Sequence, residues 1–372
     1  PGFKRLDRVI KWCENHGLYV ILDLHAVPGW QNTDWHCDNA TRRALFWEHK
    51  LFQDRFVGLW EVLAEYYEGN ATIAGYNLMN EPHTNGAQGR FGNWDDTQPD
   101  SAILNAVYRR TVDAIRAIDT DHIIFLEGDY YAQHFDSLAP PFADNLVYSS
   151  HNYTPAGFGP GQYPGEINGA HWDYVKQEQD FLAHQGTQYT RHYNLPLWVG
   201  EFGAAYNGPE DEIEDRMRAL DDQLAVFNTH GAHWTTWTYK DIGVMGWVRL
   251  DPQSDYMRII QPILEAKRKL HTDFWMGWLP TTPADELIER LAQVTERALA
   301  DPDINHRANV RYLSQATLAG YVGGLMQPAY AELFQGMSEG QIDQVLQAFA
   351  FKNCQVHPQL TEVMKARLKE GS

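Results

Sequence analysis

Cysteine is scarce in this sequence. Three occur in 372 residues, Cys13, Cys37 and Cys354, far apart and with no CxxC among them. An odd, scattered set excludes a disulfide framework and a Cys-rich zinc site. Basic residues are also short: 30 Lys plus Arg stand against 49 Asp plus Glu, for a net charge of -19. A surface of that sign repels nucleic-acid phosphates and anionic headgroups, so neither nucleic acid nor membrane is expected as a partner, and a neutral or cationic substrate fits. No apolar run approaches the roughly 18 residues of a membrane span. Neither GxGxxG nor GxxxxGK[ST] occurs, which removes the usual phosphate cradles, and the lack of GxSxG weighs against serine-nucleophile hydrolysis. The chain begins at Pro1 with no signal-like segment, and reads as cut or processed upstream.

What is present suits a folded enzyme. Hydrophobic residues make up 44% and charged residues 21%, enough apolar material for a sizeable core. Aromatics reach 13%, with 13 Trp against 8 Met, a surplus of the kind that lines sites for flat apolar faces. Six short runs are apolar on both faces: Leu18 to Leu24, Ile73 to Met79, His122 to Leu126, Asn145 to Ser149, Leu195 to Val199 and His233 to Thr238. They read as strands buried in a parallel sheet. Helical stretches alternate with them: Phe3 to His16, Thr41 to Glu68, Asp100 to Ile118, Trp172 to Tyr193, Glu210 to Thr229 and Tyr256 to Leu270. The order implies an α/β sheet of repeated crossovers.

A doubly wound sheet and a closed (β/α)8 barrel of the TIM-barrel type both fit that order, and the polar residues decide. Asp23 and His25, Asn80 and Glu81, Glu127, His151 and Tyr153, Glu201, and Trp237 with Tyr239 and Lys240 all fall at or just past strand ends. A ring of such ends is the barrel signature. Six strands are visible where a barrel has eight. The chain opens on a helix that should follow a strand, so strands one and two are expected upstream of Pro1, which leaves the barrel incomplete at its N-terminal side. Open edges of that kind invite pairing, and a homodimer covering them is expected. From about Pro280 the pattern turns helical. Leu287, Ile288, Leu291 and Val294 follow helical spacing, and Ser338 with Gln341 reads as a capping box. The chain therefore divides into a barrel over 1–279 and an all-helical extension over 280–372, whose expected role is packing or dimerisation.

Two strand-end carboxylates carry the chemistry. Glu81 stands in Asn80-Glu81-Pro82 and Glu201 in Gly200-Glu201-Phe202-Gly203. A lone strand-end Glu is usually a salt bridge or a cap. Two of them match what retaining hydrolysis of a glycosidic bond needs, carboxyls about 5–5.5 Å apart, one an acid/base and one a nucleophile. The acid/base must stay protonated at working pH and the nucleophile charged.

The motifs NLMNEP, HNYTP, LWVGEFG and ILDLHAVPGWQN, in this order on successive strands, resemble glycoside hydrolase family 5, a retaining family with a (β/α)8 barrel. The resemblance covers roughly Phe3 to Leu270. It implies that Glu81 is the acid/base and Glu201 the nucleophile. It implies that Asn80 reads the sugar 2-hydroxyl, that His151 and Tyr153 flank the reacting sugar with Tyr153 donating toward Glu201, that His25 binds glycone hydroxyls, and that Trp237 is the stacking platform. An aromatic plate under the C–H face of a sugar, with polar groups at its rim, is also what elementary chemistry asks for. The sequence departs from the family in one respect. The arginine that family members place on the second strand, hydrogen-bonded to the nucleophile, has no counterpart here, and Glu201 should be less stabilised for it.

The loop Ala26 to Asn39 resembles the PGxQN loop of the exo-acting β-glucanase branch. Trp30, Gln31, Asn32 and Trp35 are its candidate substrate contacts, placed to wall one end of a cleft into a pocket; a rigid surface loop held by Asx-turns is the bland alternative. Phe91, Trp94, Asp95 and Asp96 form a second rim loop, and Phe158 to Tyr163 a third. His25, His36, Cys37 and His83 raise a metal reading, but their spacing matches no standard zinc site, and neither metal nor cofactor is expected. The acidic run Glu210 to Asp215 reads as a solvated helix N-terminus. The sequence therefore predicts a retaining glycosidase for β-glucosides or short β-glucan oligosaccharides, the alternative being a carbohydrate-binding or degenerate barrel fragment without turnover.

Overall fold

The computed structural model describes residues 2–39, 41, 43–84, 101–159, 161–207, 210–272, 282–300 and 306–370. Its strands are β1 (Val20–Asp23), β2 (Ile73–Asn77), β3 (Ile123–Glu127), β4 (Leu146–His151), β5 (Gly165–Ile167), β6 (Ala170–Trp172), β7 (Leu197–Glu201), β8 (His233–Trp234), β9 (Lys240–Asp241), β10 (Val248–Leu250) and β11 (Cys354–Val356). Six form one parallel sheet in the order β1-β2-β3-β4-β7-β8, which matches the six runs expected. Helices cross between them, as parallel connections require. The sheet curls as half of a (β/α)8 barrel. Past its first strand His25 lies flat against Trp237 past its last, with ring centroids 5.4 Å apart and planes 10° apart.

The register sets the site. Asp23 pairs with Asn77, Glu127 with Ser149 and His151 with Glu201, and Asp23, Asn77, Glu127, His151 and Glu201 are each the last residue of their strand. Between Ser150 and His151 the ladder slips, and Gly200 is the extra residue on β7. Such a bulge re-aims the next side chain, here Glu201. A Cβ on Gly200 would collide with the Ser149 hydroxyl, which would have to turn away. One core packs Trp60 of the helix Lys50–Tyr67 and Tyr108 of the helix Ser101–Arg116 against Tyr76, Leu78, Leu126 and Tyr148 of the sheet.

Several elements differ from expectation. The run Leu18 to Leu24 is not buried on both faces, since Leu18 and Tyr19 are exposed. Among the described residues β1 pairs on one side only, with β2. The helix expected from Thr41 starts at Lys50. The chain before it turns back on the loop after β1, where Phe46 N–H donates to the Gly29 carbonyl at 2.7 Å. The β5–β6 hairpin, whose turn uses Asn168 and Gly169 at positive φ, ends on Trp172, and the stretch Trp172 to Tyr193 then forms two helices, Tyr174–Ala183 and Gln185–Tyr193, rather than one. They part at His184, whose ring accepts the Gly186 N–H as a cap. In the acidic run, Asp215 is buried and paired with Arg218 rather than solvated.

The extension carries the helices Pro283–Leu299, His306–Leu313, Gly323–Glu332, Glu339–Leu346 and Pro358–Glu370, with a π-helical segment over Ser314–Val322. The capping box at Ser338 and Gln341 is formed. The extension is not all-helical: β11 adds antiparallel to β10. Leu360 and Met364 are buried in one cluster with Leu220, Leu224 and Phe227 of the helix Glu210–Thr229, and Arg367 forks onto Asp221 through two contacts of 2.7 Å. None of the helices among the described residues is long and apolar enough to cross a membrane.

Candidate active site

The strand ends converge on Glu81, His151 and Glu201, whose side-chain donor and acceptor atoms lie within 4.8 Å of one another. The carboxyl spacing is that of a retaining pair rather than the wider gap that leaves room for a water on the far face. These atoms are the ones among the described residues that could gather a cation, but they already bond to each other. His151 Nδ1 donates to Glu81 Oε1 at 2.8 Å and lies 3.6 Å from Glu201 Oε2, while its Nε2 lies 3.5 Å from Glu127 Oε1. One buried imidazole thus faces three carboxylates. Burial alone would push the ring down, but the charges of Glu201 and Glu127 and its bonds to Glu127 and Glu81 carry it well above the ordinary histidine value. That surrounding favours the charged imidazolium over the neutral ring.

Glu81 is held at every polar group. Its backbone has φ 48°, a left-handed conformation costly for a residue with a Cβ. Glu127 Oε2 accepts its N–H at 2.7 Å and Asn32 Nδ2 donates to its carbonyl at 2.9 Å, which fixes that conformation. Asn77 secures Glu127 in turn, donating to Oε1 at 2.7 Å. The second carboxylate oxygen of Glu81 meets His36 Nε2 at 2.9 Å. Burial works to raise the Glu81 carboxyl, but the hydrogen bonds and charges of His151 and His36 outweigh it and hold the group well below the usual carboxylate range. His36 moves the opposite way. Burial lowers it, and its bond to Glu81, with the charges of Glu81, Asp34 and Glu201, raises it above 6.5.

A detail of His36 matters for proton traffic. Asn32 Oδ1 accepts the Asp34 N–H at 2.9 Å, which fixes the orientation of the Asn32 amide and turns its Nδ2 to 3.0 Å from His36 Nε2. That ring nitrogen can donate to a Glu81 carboxylate, or it can accept, from Asn32 or from a protonated Glu81. It cannot do both at once. Glu81 and His36 therefore share one proton with two resting places.

Glu201 is held by less. Tyr153 donates to its Oε2 at 3.0 Å, and among the described residues no Arg or Lys reaches it. Burial and the charge of Glu81 raise its carboxyl to about 7 against the pull of His151 and His25. Tyr153 is itself raised well above the ordinary phenol, by burial and then by Glu201, so its hydroxyl stays a donor. Gly203 is required by close approach, since a Cβ there would stand 2.6 Å from the Trp237 carbonyl. The pair is poised opposite to the expected roles, with the expected acid lowered and the expected nucleophile raised.

The remaining candidates divide. His25 accepts its place from Asp23, 3.0 Å from Nδ1, and presents its ring to Trp237, which is partly exposed. Asn80 is buried, and its Nδ2 has no protein partner among the described residues. Trp35 is exposed at the rim, edge-on to His36, while Trp30 is half-buried at positive φ. Gln31 and Asn32 were expected on the ligand, but the fold commits both. Gln31 Nε2 donates to the carbonyls of His25 and Asn80 at 2.9 and 2.8 Å and its Oε1 accepts the Val27 N–H at 3.2 Å, so it is a brace between two strand ends. Asn32 braces Glu81 from behind. Phe91, Trp94, Asp95, Asp96 and Pro160 lie outside the described residues. Phe158 and Tyr163 point inward, Phe158 against Ala205 and Met245 and Tyr163 to Asp222 at 2.7 Å, so the third loop offers no aromatic rim. Cys37 is sealed under the first loop, its thiol pushed up to about 12 by burial. The contact of His36 with Glu81 and the hold of Glu127 on Glu81 and His151 were not expected. Glu127 was visible as a strand-end carboxylate, and His36 as a histidine in a rim loop.

Comparison with known proteins adds to this geometry. A family model described as Cellulase (glycosyl hydrolase family 5) matches residues 2–243. A protein of Phanerodontia chrysosporium named Beta-xylosidase is 35% identical over 378 residues, covering 98% of this chain and 75% of its own. Endoglucanase C of Acetivibrio thermocellus is 23% identical over 275 residues, covering 64% of this chain and 73% of its own. Among solved structures, the Clostridial cellulose synthase subunit Z from Clostridioides difficile aligns with a TM-score of 0.51 at 19% identity, over 66% of this chain and 74% of that one. The endoglucanase Cel5A from Thermotoga maritima aligns with a TM-score of 0.50 at 21% identity, over 69% and 74%. At such identities the structures speak for the fold.

Proposed function

The chain belongs to glycosyl hydrolase family 5, and from that premise we propose that it hydrolyses β-glucosides or short β-glucan oligosaccharides with retention, through Glu81 and Glu201. The observation that carries this reading is the two carboxyls within 4.8 Å, one past the end of β2 and one at the end of β7, brought together by the curl of the sheet. Glu201 attacks the anomeric carbon as the bond to the leaving oxygen breaks, and Glu81 gives that oxygen its proton. Glu81 then takes a proton from water as the water oxygen displaces Glu201, which restores the carboxylate and the original configuration. Glu81 must be protonated for the first step. Sharing its proton with His36 keeps that proton within one hydrogen bond of the carboxyl.

Asn80 supports the reading, with its buried Nδ2 available to the sugar 2-hydroxyl, and Trp237 with His25 forms the flat apolar side of the pocket. Trp35, exposed on the PGxQN-like loop, stands where that loop would shape one end of the cleft. A β-xyloside, which is a β-glucoside without the exocyclic hydroxymethyl group, is the second reading, favoured by the 35% identity to a protein named Beta-xylosidase. We further propose that the exposed β1 side pairs two copies; a monomer by light scattering would end that idea.

The test is hydrolysis of aryl β-glucoside, β-xyloside, β-mannoside and β-galactoside by the chain and by Glu201→Gln. Turnover of the glucoside or xyloside with retained configuration, abolished in the variant, is expected. Binding without turnover on every sugar would replace the enzyme reading with the carbohydrate-binding one.

A further inference from the structure

The helical extension reaches the loop that holds His36. Gln315 Nε2 donates to Asp34 Oδ1 at 2.9 Å, across 281 positions of sequence, and both side chains are almost wholly buried. Gln315 stands in the π-helical segment Ser314–Val322, a local departure from the α-helix of the kind often found at functional positions. Asp34 passes the contact on. Its N–H bonds Asn32 Oδ1, Asn32 bonds the Glu81 carbonyl, and His36, two residues further, bonds the Glu81 carboxyl. A single line of hydrogen bonds thus runs from the extension to the proposed acid.

We propose that Gln315 is a positioning residue for catalysis, seating the 32–39 loop so that His36 and Asn32 hold Glu81. The proposal rests on Glu81 being the acid of a glycosidase, and it assigns the extension a task beyond packing. The groups facing His36 are Glu81, Asp34 and Glu201 as charges, the His25 and Tyr131 rings at 6.0 and 6.2 Å, and Trp35 beside it. Most of them belong to the barrel. The loop that carries His36 is the part that the extension can move.

The test compares Gln315→Leu, Gln315→Glu and the double variant Asp34→Asn with Gln315→Glu, in which donor and acceptor trade sides. Activity is read as kcat/KM on an alkyl β-glycoside, which needs protonation of its leaving oxygen, and on a dinitrophenyl β-glycoside, which does not. We expect Gln315→Leu to lose about tenfold on the first and under about threefold on the second. Gln315→Glu, with like charges opposed, should lose more, and the double variant should recover most of the loss. In parallel, the His36 ring is titrated by NMR, a readout that needs no turnover, and its midpoint should fall toward the ordinary value in Gln315→Leu. Equal losses on both substrates with an unmoved His36 midpoint would overturn the proposal and leave Gln315 a packing residue. A chain that hydrolyses neither glycoside while His36 still shifts would sink the glycosidase reading and keep the link between extension and loop.

Discussion

Glu81 follows β2 and Glu201 ends β7, with β3 and β4 between them in one curled sheet, and the molecule treats them differently. Glu81 has a histidine on each carboxyl oxygen and a side chain on each backbone polar group. Glu201 has one phenol and a more distant share of His151. Both are buried, so the contrast comes from partners rather than solvent. Partners win at Glu81 and keep it ionised; burial wins at Glu201 and raises it to about 7. Position in the fold brings the two carboxylates together, but what sets them apart is their partners, His151 at the end of β4 and His36 on the loop after β1.

The comparison is broken most completely by removing its better-held side. Glu81→Ala should cost about 10³-fold in kcat/KM on alkyl glycosides and far less on dinitrophenyl ones, the signature of a lost general acid; equal losses would count against that role. Next comes the group both carboxyls share. His151→Asn withdraws a buried cation from three carboxylates, and urea denaturation at pH 7 should show a loss of about 3–5 kcal/mol. A loss below about 1 kcal/mol would mean that the ring is neutral in the folded protein.

A third variant sharpens the contrast instead. Glu201 has its folded value near 7 and an ordinary carboxyl value of 4.5 when unfolded. The stability contributed by its proton is fully present below the lower value and is lost as pH rises through the upper one. The wild type should therefore weaken between about pH 4.5 and 7 relative to Glu201→Gln, by up to about 3 kcal/mol at pH 8. Parallel pH–stability curves for the two would refute the raised Glu201. The smallest effect belongs to Tyr153→Phe, which removes one hydrogen bond to the carboxylate, worth about 1.5 kcal/mol. Glu201 must be ionised to attack, so the acid limb of kcat/KM should move to higher pH. A limb that stays in place would assign it to another group.

The strands and the carboxylates were legible because each rests on local pattern. Short doubly apolar runs fix the strands, and a polar residue just past each run fixes what reaches the rim. That reasoning places Glu81, His151, Tyr153 and Glu201 together at one rim, while the donation from Tyr153 to Glu201 is implied only by the family resemblance. What escaped was set by contacts between distant segments. Gln31 and Asn32 read as ligand-binding amides from their place in the PGxQN-like loop, yet besides partners in their own loop each donates to a carbonyl 49 positions away, at Asn80 and Glu81. Gln315 sits in a helix of ordinary composition, and only the folded chain brings it to Asp34. The β5–β6 hairpin is a different kind of miss, since Asn168-Gly169 is the usual sequence of a tight two-residue turn and lies between the third rim loop and the helical stretch from Trp172, assigned to neither.

The flat stack of His25 on Trp237 has an optical consequence. An imidazole, and above all an imidazolium, drains the excited state of an indole it touches, so Trp237 should be a dim emitter in the unliganded protein. His25 is raised by its bond to Asp23 and by nearby charge, against the effect of burial, which favours the dimmer state near neutrality. A pyranose laid on the indole must displace the imidazole or take the opposite face, and the two outcomes differ in brightness. Because the two rings come from opposite ends of the curled sheet, the emission of this one tryptophan would register both the arrival of a sugar and how far the rim opens to admit it.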